Sequence, residues 1–222
     1  MGFKIDTQVK TCFPELTVLT FNIEGVKVEK INIELEKFKN EIMKQVREKY
    51  DLESLKNVST FRAYRDFFWK AGIDPTKIRP AAEALIRRIL GGRDIPQINT
   101  LVDAYNLASI MTEIALAAFD ADKVKGNLLM RFAEKGEEFL GIGMEKPMLL
   151  QGGEIVVSDD EKLVAIYPYR DADSTKVTEK TKNVMMLVCG VPGIEEKTLQ
   201  DAMRVTLDCV VRFCNGEGKF NF

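Results

Sequence analysis

Hydrophobic residues in the first half of the chain recur mainly at steps of three and four. This spacing is that of a helix with one buried face and one solvated face. Candidate caps and glycines mark the ends of the helices: Ser59–Thr60 begins one, and Gly91–Gly92 ends another. The pattern predicts four helices in this half, over residues 32–50, 59–71, 80–91 and 98–118.

Elsewhere the hydrophobic residues form short runs bounded by Gly, Asp or Pro, which is typical of β-strands. Residues 3–30 predict two or three strands with a turn at Glu24–Gly25, and residues 195–215 predict a final amphipathic helix. Because helices and strands occupy separate stretches, the fold class is α+β. Four further strands are predicted at residues 128–132, 154–158, 163–167 and 184–189.

A polar row interrupts the apolar segment 98–122. Asp103, Asn106 and Glu113 follow one another at steps of three and seven, so on a continuous helix they fall along one line. Burying polar groups costs free energy unless each has a partner. The row therefore predicts either a site or a set of buried partners.

Composition narrows the class of protein. The chain has 222 residues, of which 45% are hydrophobic and 30% charged, so one large globular domain, with or without a small appendage, is expected. No run of about eighteen apolar residues is present, and the N-terminus lacks a secretory signal pattern. We expect a cytoplasmic protein without membrane association. The four cysteines form no Cys-x-x-Cys pair, so we expect neither a metal nor a cofactor.

The chain contains no histidine. Its absence excludes Ser-His-Asp and Cys-His catalysis, His-ligated zinc and an imidazole general base. Any proton transfer must use carboxylates, Lys, Tyr, Cys, bound water or the substrate itself.

A strand end at residues 167–175 carries candidate chemistry. Arg170 is suited to a carboxylate or phosphate, and Asp171 to positioning water or accepting an amine. The same residue types also serve in ordinary turns and caps, so both interpretations stay open.

A basic segment lies between residues 61 and 93, with eight basic and three acidic residues in a chain whose net charge is −2. Aromatic residues alternate with the arginines, and this combination can hold phosphates and stack on unpaired bases. Aromatic residues at helical spacing also form ordinary core, with the arginines solvated. The candidate RNA-binding residues are Arg62, Arg65, Arg79, Arg87 and Arg88.

A resemblance to a known family rests on Asn99, Val102–Asp103, Asn106 and the run Ala118–Lys123. With these residues, the segment 98–122 resembles the B3/B4 domain of the phenylalanyl-tRNA synthetase beta subunit. The resemblance covers roughly residues 60–215 and implies a B3/B4-like fold, in which helices pack on a mixed or antiparallel sheet. It divides the chain into a B3/B4-like domain at residues 59–222 and an N-terminal strand–helix extension at residues 1–58, packed on the core. The matching residues include Asn99, Val102–Asp103, Asn106, Ala118–Lys123, Met130–Arg131, Gly136–Glu137, Ile155–Val157, Thr181 and Asn183.

In that family the domain forms an editing site that hydrolyses the ester of tyrosine wrongly attached to the phenylalanine tRNA. The histidine of the family corresponds to Ala117 here, and a glutamate of the family corresponds to Leu187. The resemblance therefore implies common ancestry with the editing domain, but this chain lacks the histidine and glutamate associated with the tyrosine-specific reaction. Tyr169-Arg170-Asp171 looks more like the free-standing members of the family, which implies a refitted pocket.

Two main hypotheses follow. The first is a trans-acting deacylase for a misacylated aminoacyl-tRNA or a related aminoacyl ester, with Arg170 and Asp171 at the reacting end. The second is a non-catalytic module that binds tRNA or a free amino acid, and a protein-interaction scaffold is a third. The expected partner is tRNA or the acceptor end of aminoacyl-tRNA. The substrate-binding candidates are Asp103, Asn106, Tyr169, Thr178, Thr181 and Asn183.

Overall fold

The computed structural model describes residues 2–220 and contains two main sheets covered by helices. The helices are α1 (Thr7–Cys12), α2 (Ile33–Lys49), α3 (Ser59–Lys70), α4 (Ala81–Leu90), α5 (Thr100–Thr112) and α6 (Glu196–Cys214). The strands are β1 (Phe3–Ile5), β2 (Val18–Glu24), β3 (Ala115–Asp120), β4 (Leu128–Phe132), β5 (Glu138–Phe139), β6 (Met148–Leu149), β7 (Ile155–Ser158), β8 (Leu163–Ile166), β9 (Arg170–Asp171), β10 (Asn183–Cys189) and β11 (Glu217–Phe220).

The two main sheets differ in topology. Sheet A has the order β1-β4-β7-β8-β9. It is mixed, because β1 and β4 run parallel whereas the other three pairs of neighbouring strands are antiparallel. Sheet B has the order β11-β2-β10-β3 and is antiparallel throughout. Strands β5 and β6 form a separate antiparallel pair. The predicted α+β class with mixed and antiparallel sheets is confirmed.

Residues 1–58 contribute strands to both main sheets. Strand β1 forms one edge of sheet A, and β2 lies inside sheet B between β11 and β10. Between these two strands the sequence forms the short helix α1, where a further strand was an alternative. The division of the chain at residue 58 stays a prediction.

The predicted helix over residues 98–118 is wrong beyond Thr112. Helix α5 ends there, Glu113 adopts a left-handed conformation with φ 64°, and the chain continues as β3. All six residues of β3 are buried. A strand buried on both faces has no alternation of polar and apolar residues, so its hydrophobicity alone cannot be distinguished from that of a buried helix. Glu113 is therefore not part of a helical row; its carboxylate accepts hydrogen bonds from Tyr50 and Lys49.

The aromatic face of α3 forms core. Phe61, Tyr64, Phe67 and Phe68 are buried, whereas the Trp69 side chain is 59% exposed. The Tyr64 hydroxyl donates to the Cys189 carbonyl and accepts from the Ala115 backbone N–H at 3.0 Å, which joins α3 to β10 and β3. Within residues 2–220, every helix is too short or too polar to span a bilayer.

Candidate functional site

A cavity of about 70 Å³ lies where the edge strand β3 of sheet B meets β8 and β9 of sheet A. It combines a polar strand end from one sheet with apolar side chains from the other. Its lining consists of Ala81, Leu116, Ala117, Ala165, Ile166, Tyr167, Pro168, Tyr169, Arg170, Asp171, Leu187 and Cys189.

Among the residues that line the cavity, Asp171 has the side chain best suited to proton transfer near neutral pH. Its backbone is held on two sides, because it pairs with Ala165 of β8 and its carbonyl accepts from Ile142 N–H at 2.9 Å. Burial raises the pKa of the Asp171 carboxyl to about 7, against a smaller opposing effect from the hydrogen bond donated by the Ala118 backbone. A carboxyl with this pKa exchanges protons readily near neutral pH.

Arg170 and Tyr169 complete the polar end of the cavity. Arg170 is exposed, and its guanidinium approaches the Ile142 carbonyl at 3.4 Å. A β-carbon at Gly141 would lie 2.5 Å from the Arg170 Cδ, so glycine at 141 makes room for the arginine stem. Tyr169 is partly buried against Phe68, and burial raises the pKa of its hydroxyl. The structure thus brings the three predicted residues of this loop together.

The opposite wall is apolar. Ala117 and Leu187 are direct cross-strand partners of β3 and β10, and they are 8% and 1% exposed. Directly opposed residues of an antiparallel pair project to the same face of the sheet. The two positions that the sequence resemblance aligned with polar residues of the family therefore form one continuous hydrophobic surface.

Two groups near Asp171 escaped the sequence-based prediction. Cys189 lines the cavity, and burial raises the pKa of its thiol well above the ordinary value, with a further contribution from Asp171. Tyr105 of α5 has a raised pKa, caused first by burial and then by the Asp171 charge. Cys189 stands at the end of an apolar run, and Tyr105 lies between the two polar residues Asp103 and Asn106. Nothing in the sequence around Cys189 or Tyr105 therefore predicts that either residue lies near Asp171.

The substrate-binding candidates on α5 lie outside the cavity lining. Asp103 is 1% exposed; its carboxylate binds Lys39 Nζ at 3.0 Å and accepts from the Ile98 N–H at 3.0 Å. Burial raises the pKa of Asp103, and Lys39 opposes that shift. Asn106 is partly buried one turn further along α5. Within the polar row, the buried Asp103 therefore has an ion-pair partner in Lys39, and this pair joins α5 to α2.

Thr178, Thr181 and Asn183 lie at the other end of β10 from the cavity. The Thr181 hydroxyl donates to the Asp120 carboxylate at 2.8 Å, and the Asn183 amide donates to Asp122 at 3.0 Å. Thr181 also accepts from the Thr178 N–H at 3.0 Å. These contacts fasten the loop before β10 to the turn after β3. Among residues 2–220 there is no group of three or more Cys, Asp or Glu side chains placed to hold a metal ion.

The predicted RNA-binding arginines divide into two groups. Arg65 and Arg87 both bind the buried Glu83 carboxylate, at 3.1 and 2.7 Å. The Arg65 pair joins α3 to α4, whereas the Arg87 pair lies within α4. Arg88 donates to the Asp94 carbonyl. Arg62 and Arg79 are exposed.

Comparison with known proteins gives a family and a fold. The sequence profile of the B3/4 domain matches residues 63–215, a span that contains every residue of the cavity lining. The phenylalanine–tRNA ligase beta subunit of Fusobacterium nucleatum is 36% identical over 92 residues, and that of Ruegeria pomeroyi is 34% identical over 119 residues. These alignments cover 41% and 54% of this chain but 11% and 15% of the two relatives.

A solved structure shows the same fold across nearly the whole chain. It is an N-terminal fragment of the phenylalanyl-tRNA synthetase beta subunit from Pyrococcus horikoshii, with a TM-score of 0.52 and 16% sequence identity. The superposition covers 98% of this chain and 50% of that fragment. Most of residues 2–58 therefore fall within the region of structural similarity.

Proposed function

The chain belongs to the B3/4 domain family, and from that premise we propose that it is a trans-acting deacylase. Its substrate is a misacylated aminoacyl-tRNA or a related aminoacyl ester, and the reaction is hydrolysis of the ester bond. The observation that carries the proposal is the Asp171 carboxyl, which has a pKa of about 7 and lines a cavity beside Arg170. In a chain without histidine, this carboxyl is suited to act as a general base near neutral pH.

The chemistry requires one proton acceptor and one positive charge. Asp171 accepts a proton from water while the water oxygen attacks the ester carbonyl carbon, and Arg170 stabilises the negative charge that develops on the carbonyl oxygen. When the carbon–oxygen bond to the ribose breaks, the leaving oxygen takes the proton back from Asp171. The products are the free amino acid and a tRNA with its terminal hydroxyl restored.

The exposed arginines of segment 61–93 support a contact with RNA. Arg62 and Arg79 are free of the Glu83 ion pairs that engage Arg65 and Arg87, so their charges remain available to phosphates. A local contact of this kind suits a chain of pI about 5.5, which lacks the overall field for indiscriminate RNA binding. Aminoacyl-tRNA is present in the cytoplasm, where we predict the protein to act.

The test is hydrolysis of a panel of mischarged tRNAs by the full chain. We expect Asp171→Asn to lower kcat/KM by about 10²–10⁴-fold, because an amide cannot accept the proton. The wild-type rate should rise with pH through about 7, as the carboxyl ionises. The matched control is Asp173→Asn, which removes the carboxylate that pairs with Lys176 on the same loop. Full activity in Asp171→Asn, or no turnover on any tRNA of the panel, would refute the deacylase proposal.

A second candidate is a non-catalytic amino-acid-binding module. The apolar pair Ala117–Leu187 supports it, because these positions carry no polar group for chemistry. Arg170 and Asp171 would then hold the carboxylate and the ammonium of a free amino acid. Protection against thermal melting by an amino acid, without ester hydrolysis, is the result that selects this candidate over the first.

A further inference from the structure

The volume of the cavity limits what can occupy it. It measures about 70 Å³. An engineered apolar cavity of about 150 Å³ admits benzene. The cavity beside Asp171 therefore has roughly half the volume that is known to admit an aromatic ring.

The walls that set this volume belong to both sheets. Leu187 lies within β10, which is paired on both sides by β2 and β3, so its backbone is fixed by two sets of strand hydrogen bonds. Tyr167 is 2% exposed, and its hydroxyl donates to the Gly190 carbonyl. Enlarging the cavity by moving either residue would disrupt sheet pairing or leave a buried hydroxyl unpaired, and both changes are costly.

The polarity of the lining orients a bound acyl group. Arg170 is exposed and Asp171 is partly buried, whereas Ala117, Leu187 and Cys189 are buried on the opposite wall. An ester that reacts near Asp171 would direct its amino-acid side chain toward that apolar wall, where polar or charged side chains would find no hydrogen-bonding group other than a thiol.

From this geometry we infer that the deacylase acts on esters of small aliphatic amino acids, of about the size of alanine, and rejects aromatic ones. The inference rests on the proposed function and specifies its substrate class. The cross-strand pair Ala117–Leu187 is the structural element that sets the size limit.

The first test compares glycyl-, alanyl-, valyl-, phenylalanyl- and tyrosyl-tRNA as substrates of the full chain. In an apolar pocket a single excess methylene changes kcat/KM by about 10–200-fold, so the alanyl ester should exceed the tyrosyl ester by at least about 100-fold. Hydrolysis of the tyrosyl or phenylalanyl ester within about tenfold of the alanyl ester would overturn the inference and leave the deacylase proposal standing.

The second test changes the wall. Leu187→Ala removes three carbon atoms from the cavity lining, and we expect the phenylalanyl-to-alanyl ratio of kcat/KM to rise by at least about tenfold. Leu107→Ala is the matched control, because Leu107 is equally buried but lies outside the lining. Ala117→Val narrows the cavity without deleting core, and should lower the alanyl-to-glycyl ratio by about tenfold. Unchanged ratios in both lining variants would overturn the assignment of the size limit to this pair.

A binding measurement tests the size limit of the cavity independently of ester hydrolysis. The probes are the adenosine 3′-amides of alanine and of tyrosine, which cannot be hydrolysed as esters, and calorimetry measures their Kd. If no ester is hydrolysed, the deacylase proposal fails, but binding of the alanyl amide with rejection of the tyrosyl amide still supports the size limit. Equal binding of the two amides, or binding of neither, overturns it.

Discussion

Asp171 shows how the location of one carboxyl determines what it can do. The same residue type is engaged in an ion pair at Asp103 and Asp159, where lysine Nζ atoms lie at 3.0 and 2.8 Å. At Asp171, burial is the largest effect on the pKa and the Ala118 backbone N–H only partly offsets it. The sequence predicted that Asp171 belongs to a candidate site, but its pKa depends on the apolar surroundings supplied by β3 and β8.

The perturbed carboxyl predicts a pH dependence of stability that requires no substrate. Because the pKa of Asp171 is about 7 in the folded state and 3.8 is its ordinary value, the contribution of this residue to stability is complete below about pH 4 and is lost as pH rises through about 7. Asp171→Asn cannot ionise. The variant should therefore match the wild type near pH 4 and exceed it at pH 8, by at most about 4 kcal/mol since each pKa unit corresponds to about 1.36 kcal/mol.

Urea denaturation at pH 4, 6 and 8 measures this difference in the free energy of unfolding. Asp173→Asn serves as the control, because it removes a carboxylate of the same loop that lies outside the cavity lining. A free-energy difference between Asp171→Asn and wild type that stays constant from pH 4 to pH 8 would contradict the assignment of a raised pKa.

At the scale of secondary structure, the helices were predicted more accurately than the strand that follows α5. The predicted helix over 32–50 corresponds to α2, and Asn32 caps it by accepting from the Leu35 N–H. Amphipathic helices carry their boundaries in local periodicity and caps. Strand β3 has no polar face, so only its antiparallel pairing with β10 identifies it as a strand.

The ion pair between α2 and α5 gives a prediction at this scale. Lys39 and Asp103 have side chains that are 4% and 2% exposed. Loss of Lys39 would remove the ion-pair partner of Asp103, whereas loss of Asp103 would leave Lys39 paired with Glu36 at 2.9 Å. Removing one partner of a buried pair costs about 3–5 kcal/mol when the other charge is left unpaired. Because Glu36 still pairs with Lys39, Asp103→Ala should lower the free energy of unfolding by at most about 3 kcal/mol. The double variant Lys39→Met with Asp103→Leu should recover most of the loss, because apolar replacements fill the space without a buried charge.

Thermal and urea denaturation of the single and double variants measure the effect. Lys37→Ala is the control, because the Lys37–Glu34 pair on the same helix is exposed and should contribute little to stability. If Asp103→Ala were no more destabilising than Lys37→Ala, Asp103 would not be a structural residue, and its earlier role as a substrate-binding candidate would gain support.

At the scale of the whole molecule, the basic segment 61–93 is divided between structure and surface. Arg65 and Arg87 share the single buried carboxylate of Glu83, while the exposed Arg62 and Arg79 face solvent. The aromatic residues Phe61, Tyr64, Phe67 and Phe68 form core and do not stack on bases. The proposed RNA surface therefore has fewer candidate residues than the sequence pattern indicated.

We expect the charge reversal Arg62→Glu with Arg79→Glu to weaken tRNA binding and to reduce the slope of log K against log salt concentration. Each phosphate contact contributes about 0.7–0.9 to that slope, so the loss of two contacts lowers it by roughly 1.5. Filter binding or fluorescence anisotropy between 50 and 200 mM salt measures it. The control is Arg204→Glu on α6, where the exposed arginine pairs with Asp201. Equal effects of the two reversals would indicate a nonspecific electrostatic contribution.

The sequence by itself determined the α+β class, the approximate positions of the main helices, the lack of histidine in this chain and the grouping of Tyr169, Arg170 and Asp171 in one short segment. Each of these depends on composition or on residues close in the chain, where periodicity and caps act directly. Only the tertiary structure decided that Ala117 opposes Leu187, that Lys39 reaches Asp103, and that Cys189 lines the cavity with Asp171. Those contacts join residues far apart in the chain, and their geometry follows from strand register and helix packing, which local sequence patterns do not specify. The size of the cavity, and with it the proposed substrate class, belongs to this second group.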